Sequence, residues 1–291
     1  METRKAHIVP RFYLENFADH KQQLWTCDLK DRRIFKSNPR DAATYRDFYR
    51  GDQARHEDDL ERKLSTIESD AAPHLKRFLH GSLEIGDELL RFIAWMAART
   101  MWLKRLFAQF DFKEYLKENF EELCNVECDP KGRALPFDFC SKGEIRQLQI
   151  SQSKPYLEDP NWTIEMSQDQ FLDMVRLQAY CFRTMHFPLL KWFSVQASPG
   201  RRFITSDRPV SWDVLSNGWT DLPSVLKHPL VDLILPLSPE VLMMAGHDQA
   251  SMNALQVTPD ELNSRIAQRA ERFLFARSEE DFERINIRTW Q

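Results

Sequence analysis

The segment ELLRFIAWMAARTMWLKRLFAQF, residues 88–110, constrains the fold more than any other part of the chain. It lacks proline and glycine, and its apolar residues cover most of a helix's circumference. A helix running from about Asp87 through this segment must therefore be buried on nearly all sides, at the centre of the protein. Arg99 stands inside it among Trp95, Met96, Met101 and Trp102. A guanidinium is costly to bury without a partner, so either a carboxylate meets it or the side chain snorkels along one exposed stripe.

The preceding segment offers the carboxylates. From His56 onward, Leu60, Leu64, Ile67, Ala71, Leu75, Phe78 and Leu79 recur at three- and four-residue steps, which predicts an amphipathic helix ending near Gly81. Pro73 is expected to kink or split it. Seven residues separate Glu61 from Glu68, placing both on nearly one face, each directly after a seam residue. At that half-buried edge a carboxylate can serve as general acid or base, or can pair with an arginine of a facing helix. Two solvated flank residues are the alternative.

Elsewhere the pattern is mixed. Residues 23–38, QLWTCDLKDRRIFKSN, alternate about Leu29-Lys30-Asp31 and read as a β-hairpin. Residues 128–166 hold prolines, glycines and weak periodicity and read as a loop or insertion. A third helix is expected from Ser167 to about Pro188, followed by strands in WFSVQA, RRFITSD, VDLILPLSP and VLMMAGH. The last helix opens with the capping-box spacing Thr258-Pro-Asp-Glu261 and is read as running to Phe273, with RFLFAR as a closing strand. The expected class is α+β, mainly helical, with long central helices, a small mostly antiparallel sheet in the C-terminal half and an N-terminal β-hairpin. A single domain over 1–291 is expected, in three parts: 1–127, the insertion 128–166, and 167–291.

Composition narrows the function classes. With 42% hydrophobic residues over 291 positions a sizeable core can form, and eight glycines against twenty Phe, eight Trp and six Tyr disfavour a many-stranded sandwich. A formal charge of −4 gives no global footprint for nucleic acid, although a local basic patch stays open. The five cysteines lack zinc-site spacing and read as reduced thiols. No apolar run is long enough to span a bilayer and METRKAHIVP lacks a signal's apolar core, so a cytoplasmic protein without membrane association is expected.

Two further stretches gather chemistry. AHIVPRFYLENFAD, residues 6–19, is too rich in rings to be a free tail, so His7, Arg11 and Tyr13 sit in a docked segment. RRFITSDRPV, residues 201–210, ends a strand in Ser206 and Asp207 and holds the densest arginine cluster, which suits phosphate recognition or an ordinary Asx turn. There is no Walker loop, dinucleotide fingerprint, His-Glu-x-x-His or Gly-x-Ser-x-Gly motif, and His186 and His228 are lone histidines in apolar company.

In order, HIVPRFYLENFAD, the glutamate helix ending ESDAAPHL, FIAWMAART, FITSDRPV, DLILPLSP and LNSRIAQRAERFLFAR resemble the bacterial domain-of-unknown-function family four-two-three-eight, over nearly the whole chain. The resemblance implies a shared architecture and a shared polar set, His7, Arg11, Glu61, Glu68, Arg99, Ser206, Asp207 and Asn263, but no reaction, metal or cofactor. Residues so far apart must converge to share a pocket; the alternative is that they cap helices and satisfy buried backbone.

Carboxylates, arginines and rings without a visible metal anchor point to a metal-independent hydrolase of nucleic acid or nucleotides. N-glycosidic, DNA glycosylase-like cleavage is favoured, as in phage defence or genome maintenance. The expected catalytic residues are Glu61, Glu68, Asp207 and His7. The expected substrate-binding residues are Arg11, Tyr13, Arg99, Arg202, Ser206 and Asn263, with no metal ligands and no cofactor. A metal-dependent nuclease and a non-enzymatic ligand- or partner-binding module are the competing expectations.

Overall fold

The helix read as continuous from Asp87 breaks at Arg99. In the computed structural model, which describes residues 5–46, 48–49, 55–82, 84–109, 168–213, 232–246 and 258–285 with isolated positions between 113 and 160, Asp87–Ala98 forms one helix and Met101–Gln109 the next. Arg99 leaves helical space at φ −85° and ψ 68°. Thr100 Oγ1 then accepts the Leu103 N–H at 3.2 Å and caps the second helix. No glycine or proline marks the break; a threonine hydroxyl competing for a backbone donor makes it.

In chain order, β1 (Lys5–His7) is followed by the short turn α1 (Arg11–Leu14). The strands β2 (Leu24–Asp28) and β3 (Arg33–Ser37) then precede β4 (Thr44–Arg46), which pairs antiparallel with β1. The helix α2 (Arg55–Leu79) packs on α3 (Asp87–Ala98), and α4 (Met101–Gln109) follows. Of the expected kink or split at Pro73, the split does not occur, and α2 runs on through the proline. One lost hydrogen bond is outweighed there by the buried seam of Leu60, Leu64, Ile67, Ala71, Leu75 and Phe78.

The helix α5 (Gln168–Cys181) packs on α3 and continues as a π turn over Phe182–His186 and a 3-10 turn over Phe187–Leu189. Among the described residues six strands and two helices follow: β5 (Lys191–Gln196), β6 (Thr205–Ser206), β7 (Ser211–Asp213), β8 (Asp232–Pro236), β9 (Val241–Gly246), α6 (Pro259–Arg269), β10 (Phe273–Ala276) and α7 (Glu280–Glu283). The capping box of α6 is formed, with Thr258 accepting the Glu261 N–H. That helix ends at Arg269, short of the expected Phe273, because the chain turns to extended backbone at Ala270 and enters β10.

The fold is α+β with antiparallel sheets. Besides the two-stranded β1–β4 sheet, two four-stranded sheets are present among the described residues, one in the order β5-β9-β8-β7. The other, β3-β2-β10-β6, joins N-terminal to C-terminal strands: β2 pairs β3 on one side and β10 on the other, with Thr26 opposite Phe275. The sheet expected within the C-terminal half therefore recruits β2 and β3. In β8 and β9 alternate residues face different cores. Leu233, Leu235, Val241, Met243 and Ala245 join the helices, whereas Ile234, Leu242 and Met244 join Phe203, Leu262, Ile266 and Leu274. Burial on both faces explains why these strands read as unbroken apolar runs.

The expected insertion 128–166 falls almost wholly outside the described residues, as do Cys124, Cys128 and Cys140; Cys27 and Cys181 are buried free thiols. Among the described residues no helix is long and apolar enough to cross a membrane.

Tyr13 ties the N-terminal segment to both sheets. Its hydroxyl donates to the Pro236 carbonyl of β8 and lies 2.8 Å from Thr205 Oγ1 of β6, all three groups being buried. With the phenol's only hydrogen given to Pro236, Thr205 must be the donor in the second bond. Tyr13→Phe removes that link and leaves two buried groups without it, so a loss of about 1–3 kcal/mol in urea-unfolding stability is expected. An unchanged unfolding midpoint would show that the hydroxyl does not fasten these elements.

Candidate functional site

Arg99 is 2% exposed, and the break after α3 turns its guanidinium toward α2, where Nη2 donates to Glu68 Oε1 at 2.9 Å. Glu68 is only partly covered, its side chain 25% exposed, so the pair reaches from the core to the protein's edge. Arg99 also hydrogen-bonds the buried Tyr49 hydroxyl. Burial pushes the Tyr49 phenol above its ordinary value, Arg99 pulls it down, and the charges of Glu68 and Glu61 push it up again. Glu61 thus faces the same group from two turns earlier on α2, half-buried. The Arg99 Nε–H has no hydrogen-bond partner among the described residues.

The N-terminal segment enters through its backbone. Tyr49 Oη donates to the His7 carbonyl at 3.3 Å, while the His7 ring bonds the Arg40 carbonyl at 2.8 Å. Its imidazole is thereby committed to holding the loop before β4. Arg11 lies on the surface, paired with Glu15 at 2.7 Å one helical turn on. Tyr13 is buried in the link already described and is out of solvent's reach.

The strand-tip residues make a second constellation. Both Asp207 oxygens are engaged: Oδ1 accepts the Glu271 N–H at 2.9 Å, and Oδ2 accepts those of Arg272 and Phe273 at 2.9 and 3.1 Å. Burial pushes its carboxyl up to about 7 against the pull of these donors. The Asp207 carboxyl staples the end of β6 to the entry of β10. Ser206 Oγ accepts the Arg208 N–H and shapes the same turn. Asn263 acts like a neighbouring strand, accepting from Ile204 N–H at 3.0 Å and donating to the Arg202 carbonyl at 2.8 Å.

The three arginines of this stretch do not form the single patch that their spacing suggests. Arg201 pairs with Asp260 at 2.8 Å and Arg202 stands 3.9 Å from Asp281, whereas Arg208 turns the other way and lies 4.0 Å over the Trp102 ring.

Glu68, Arg99 and Glu61 are therefore brought around Tyr49, with His7 joined by its carbonyl. Asp207, Ser206, Asn263 and Tyr13 are occupied by bonds that hold backbone, Arg11 pairs with Glu15, and Arg202 lies beside the largely covered Asp281. Tyr49 was missed from sequence because it belongs to no periodic segment. Arg105 and Arg208, which lie near Asp207, had a readable signal in part: Arg99, Trp102 and Arg105 recur at three-residue steps. Among the described residues no group of three or more His, Cys, Asp or Glu could hold a metal ion.

The chain belongs to the family described as "Protein of unknown function (DUF4238)", whose profile matches residues 5–280. No curated protein and no solved structure was found to match it.

Asp207 separates fold from chemistry in one substitution. In Asp207→Asn an amide NH2 replaces an acceptor and faces backbone donors, so a destabilisation of at least about 2 kcal/mol is expected. The wild-type carboxyl titrates near 7 folded and near 3.8 unfolded, so its contribution is complete below about pH 4 and is lost as pH rises through about 7. Urea unfolding should show a larger gap between wild type and variant at pH 5 than at pH 8. A variant as stable as wild type at both values would contradict the staple.

Proposed function

We propose that the protein is a cytoplasmic hydrolase of nucleic acid or nucleotides that cleaves an N-glycosidic bond through the α2 carboxylates. The observation that carries this reading is the Arg99–Glu68 pair: a guanidinium withdrawn from water, fixed by a helix break, holds one carboxylate at the edge of the core while keeping an N–H to spare. A fold needing only stability is served as well by apolar residues in such a place.

Glycosidic cleavage develops positive charge on the sugar as the base departs, and it needs a carboxylate to stabilise that charge and another to activate water. Glu68, oriented by Arg99, suits the first role. Glu61 suits the second. Seven residues at 1.5 Å rise separate their Cα atoms by about 10 Å, and side chains leaning together approach the roughly 6.5–9.5 Å that leaves room for water between two carboxyl groups. Trp95 and Trp102, both partly exposed, stand four residues before and three after Arg99 and offer rings for stacking a base.

Plain and base-modified DNA, RNA and nucleotides, incubated with the full chain with and without chelator, test this reading. Expected are alkali-labile abasic sites or free base that persist with chelator and fall at least 100-fold in Glu68→Gln and Glu61→Gln, both of which remain folded. Strand breaks abolished by chelator would instead establish the metal-dependent nuclease, and binding without any turnover the ligand-binding module.

A further inference from the structure

The β2–β3 hairpin gathers positive charge on a chain whose formal charge is −4. Between Asp28 and Lys36 stand four cations, Lys30, Arg32, Arg33 and Lys36, all exposed, and two acids, Asp28 and Asp31. Both acids are drawn to Arg272, which grips Asp28 through two nitrogens and meets Asp31 at 3.0 Å. Among the described residues Lys30, Arg32 and Lys36 form no ion pair, and Arg33 stands 3.9 Å from the shared Asp31. Asp19, whose charge reaches Lys36, accepts the Lys21 and Gln23 N–H groups at 2.8 and 2.9 Å. The hairpin thus presents more positive charge than its own acids offset.

Two of these cations lie over rings. The Arg33 guanidinium is 5.0 Å from the centre of the Phe35 ring, and the Lys36 ammonium is 5.0 Å from that of Trp25. Trp25 is opposite Lys36 in the β2–β3 ladder, whereas Phe35, one residue earlier, belongs to the other face of the sheet. The strand β3 therefore carries a cation–ring pair on each face. Both rings are partly exposed, and the Arg33 side chain, 63% exposed, leaves the far side of its guanidinium plane to solvent. In the order β3-β2-β10-β6 this strand is outermost, and among the described residues no strand pairs with its free edge. The tip is held in shape: Asp28 Oδ1 accepts the Lys30 and Asp31 N–H groups at 3.1 Å, and Arg32 closes the turn at φ 49°.

We infer that the β3 edge and the hairpin tip form a binding surface for single-stranded nucleic acid. Phosphates lie along the exposed lysines and arginines, and bases stack on the Arg33 plane and on the two rings. The five residues of β3 span roughly 17 Å, the rise of about five stacked nucleotides. A duplex fits less well, because its major groove admits a free two-stranded ribbon, whereas β2 is tied on its other side to β10. An acidic peptide added as a further strand is also disfavoured, since lysine and arginine along a short edge oppose strand pairing. The surface shares no residue with the Arg99–Glu68 pair, and binding to it does not depend on glycosidic chemistry.

Fluorescence anisotropy of the full chain with labelled oligo-dT and oligo-U of about 12 nucleotides, over a range of salt, tests the inference. With four phosphates neutralised, the logarithm of the binding constant should fall with that of salt at a slope of about −2.8. In Arg33→Gln/Lys36→Gln, a variant confined to exposed side chains, binding should weaken roughly tenfold or more and the slope should shrink by about 1.4. Phe35→Leu should weaken binding about fivefold and leave the slope unchanged, because it removes stacking and no charge. The two oligomers distinguish DNA from RNA. No binding of either, equal binding by the double variant, a duplex held as tightly as the single strand, or displacement by polyglutamate at equal charge would overturn the surface. Binding that depends on Arg33 and Lys36 without release of base in the assay above would leave the surface standing and remove the glycosidic reading. Release of base with unchanged binding in the double variant would do the reverse.

Discussion

The burial of one positive charge organises the helical half of this protein. Arg99 cannot stay buried without a counter-charge, and at the break made by Thr100 its guanidinium turns toward α2 and meets Glu68. Three consequences follow from the turn. Glu68 acquires a fixed orientation at the edge of the core, Tyr49 is drawn in as a second partner, and through Tyr49 the backbone of the N-terminal strand is tied to the same centre. An exposed ion pair of the same residues would contribute little and impose no geometry.

The β-half supplies a frame rather than a set of reactive groups. Its two-faced strands β8 and β9 separate two cores and leave few positions for polar side chains. Where polar residues do occur they replace missing backbone contacts. Asp207 and Asn263 satisfy segments where regular pairing stops, and the Asp28 carboxylate, despite its burial, is held below its ordinary value by Arg272 and by the N–H groups of Lys30 and Asp31. These bonds keep the turn at Arg208 and the start of β10 in place, and with them the Arg208 guanidinium over the Trp102 ring.

Much of this was legible in the sequence, and the limits have physical causes. Periodicity located α2 and the seam that buries it, and the cost of an unpaired guanidinium led from Arg99 to the carboxylates of α2. The family resemblance added the order of motifs. Periodicity could not reveal the break at Thr100, because the apolar spacing continues across it while a hydroxyl ends the helix. Residue type also could not separate chemistry from support at Asp207 or Asn263: the same carboxylate or amide serves either end, and only its hydrogen-bond partners decide. The place of Tyr49 and the contact of Arg208 with Trp102 depend on distant segments meeting, which no local pattern encodes.

The dependence of the site on the Arg99–Glu68 pair is measured most directly by a double-mutant cycle in unfolding free energy with Glu68→Leu and Arg99→Met. Glu68→Leu strands a buried guanidinium and should cost about 3–5 kcal/mol, whereas the double variant, with both charges gone, should recover most of that loss. A coupling energy of at least about 1.5 kcal/mol is the expected result. Additive effects, with the double variant as unstable as the sum of the single ones, would contradict the pair as the interaction on which this half of the protein is built.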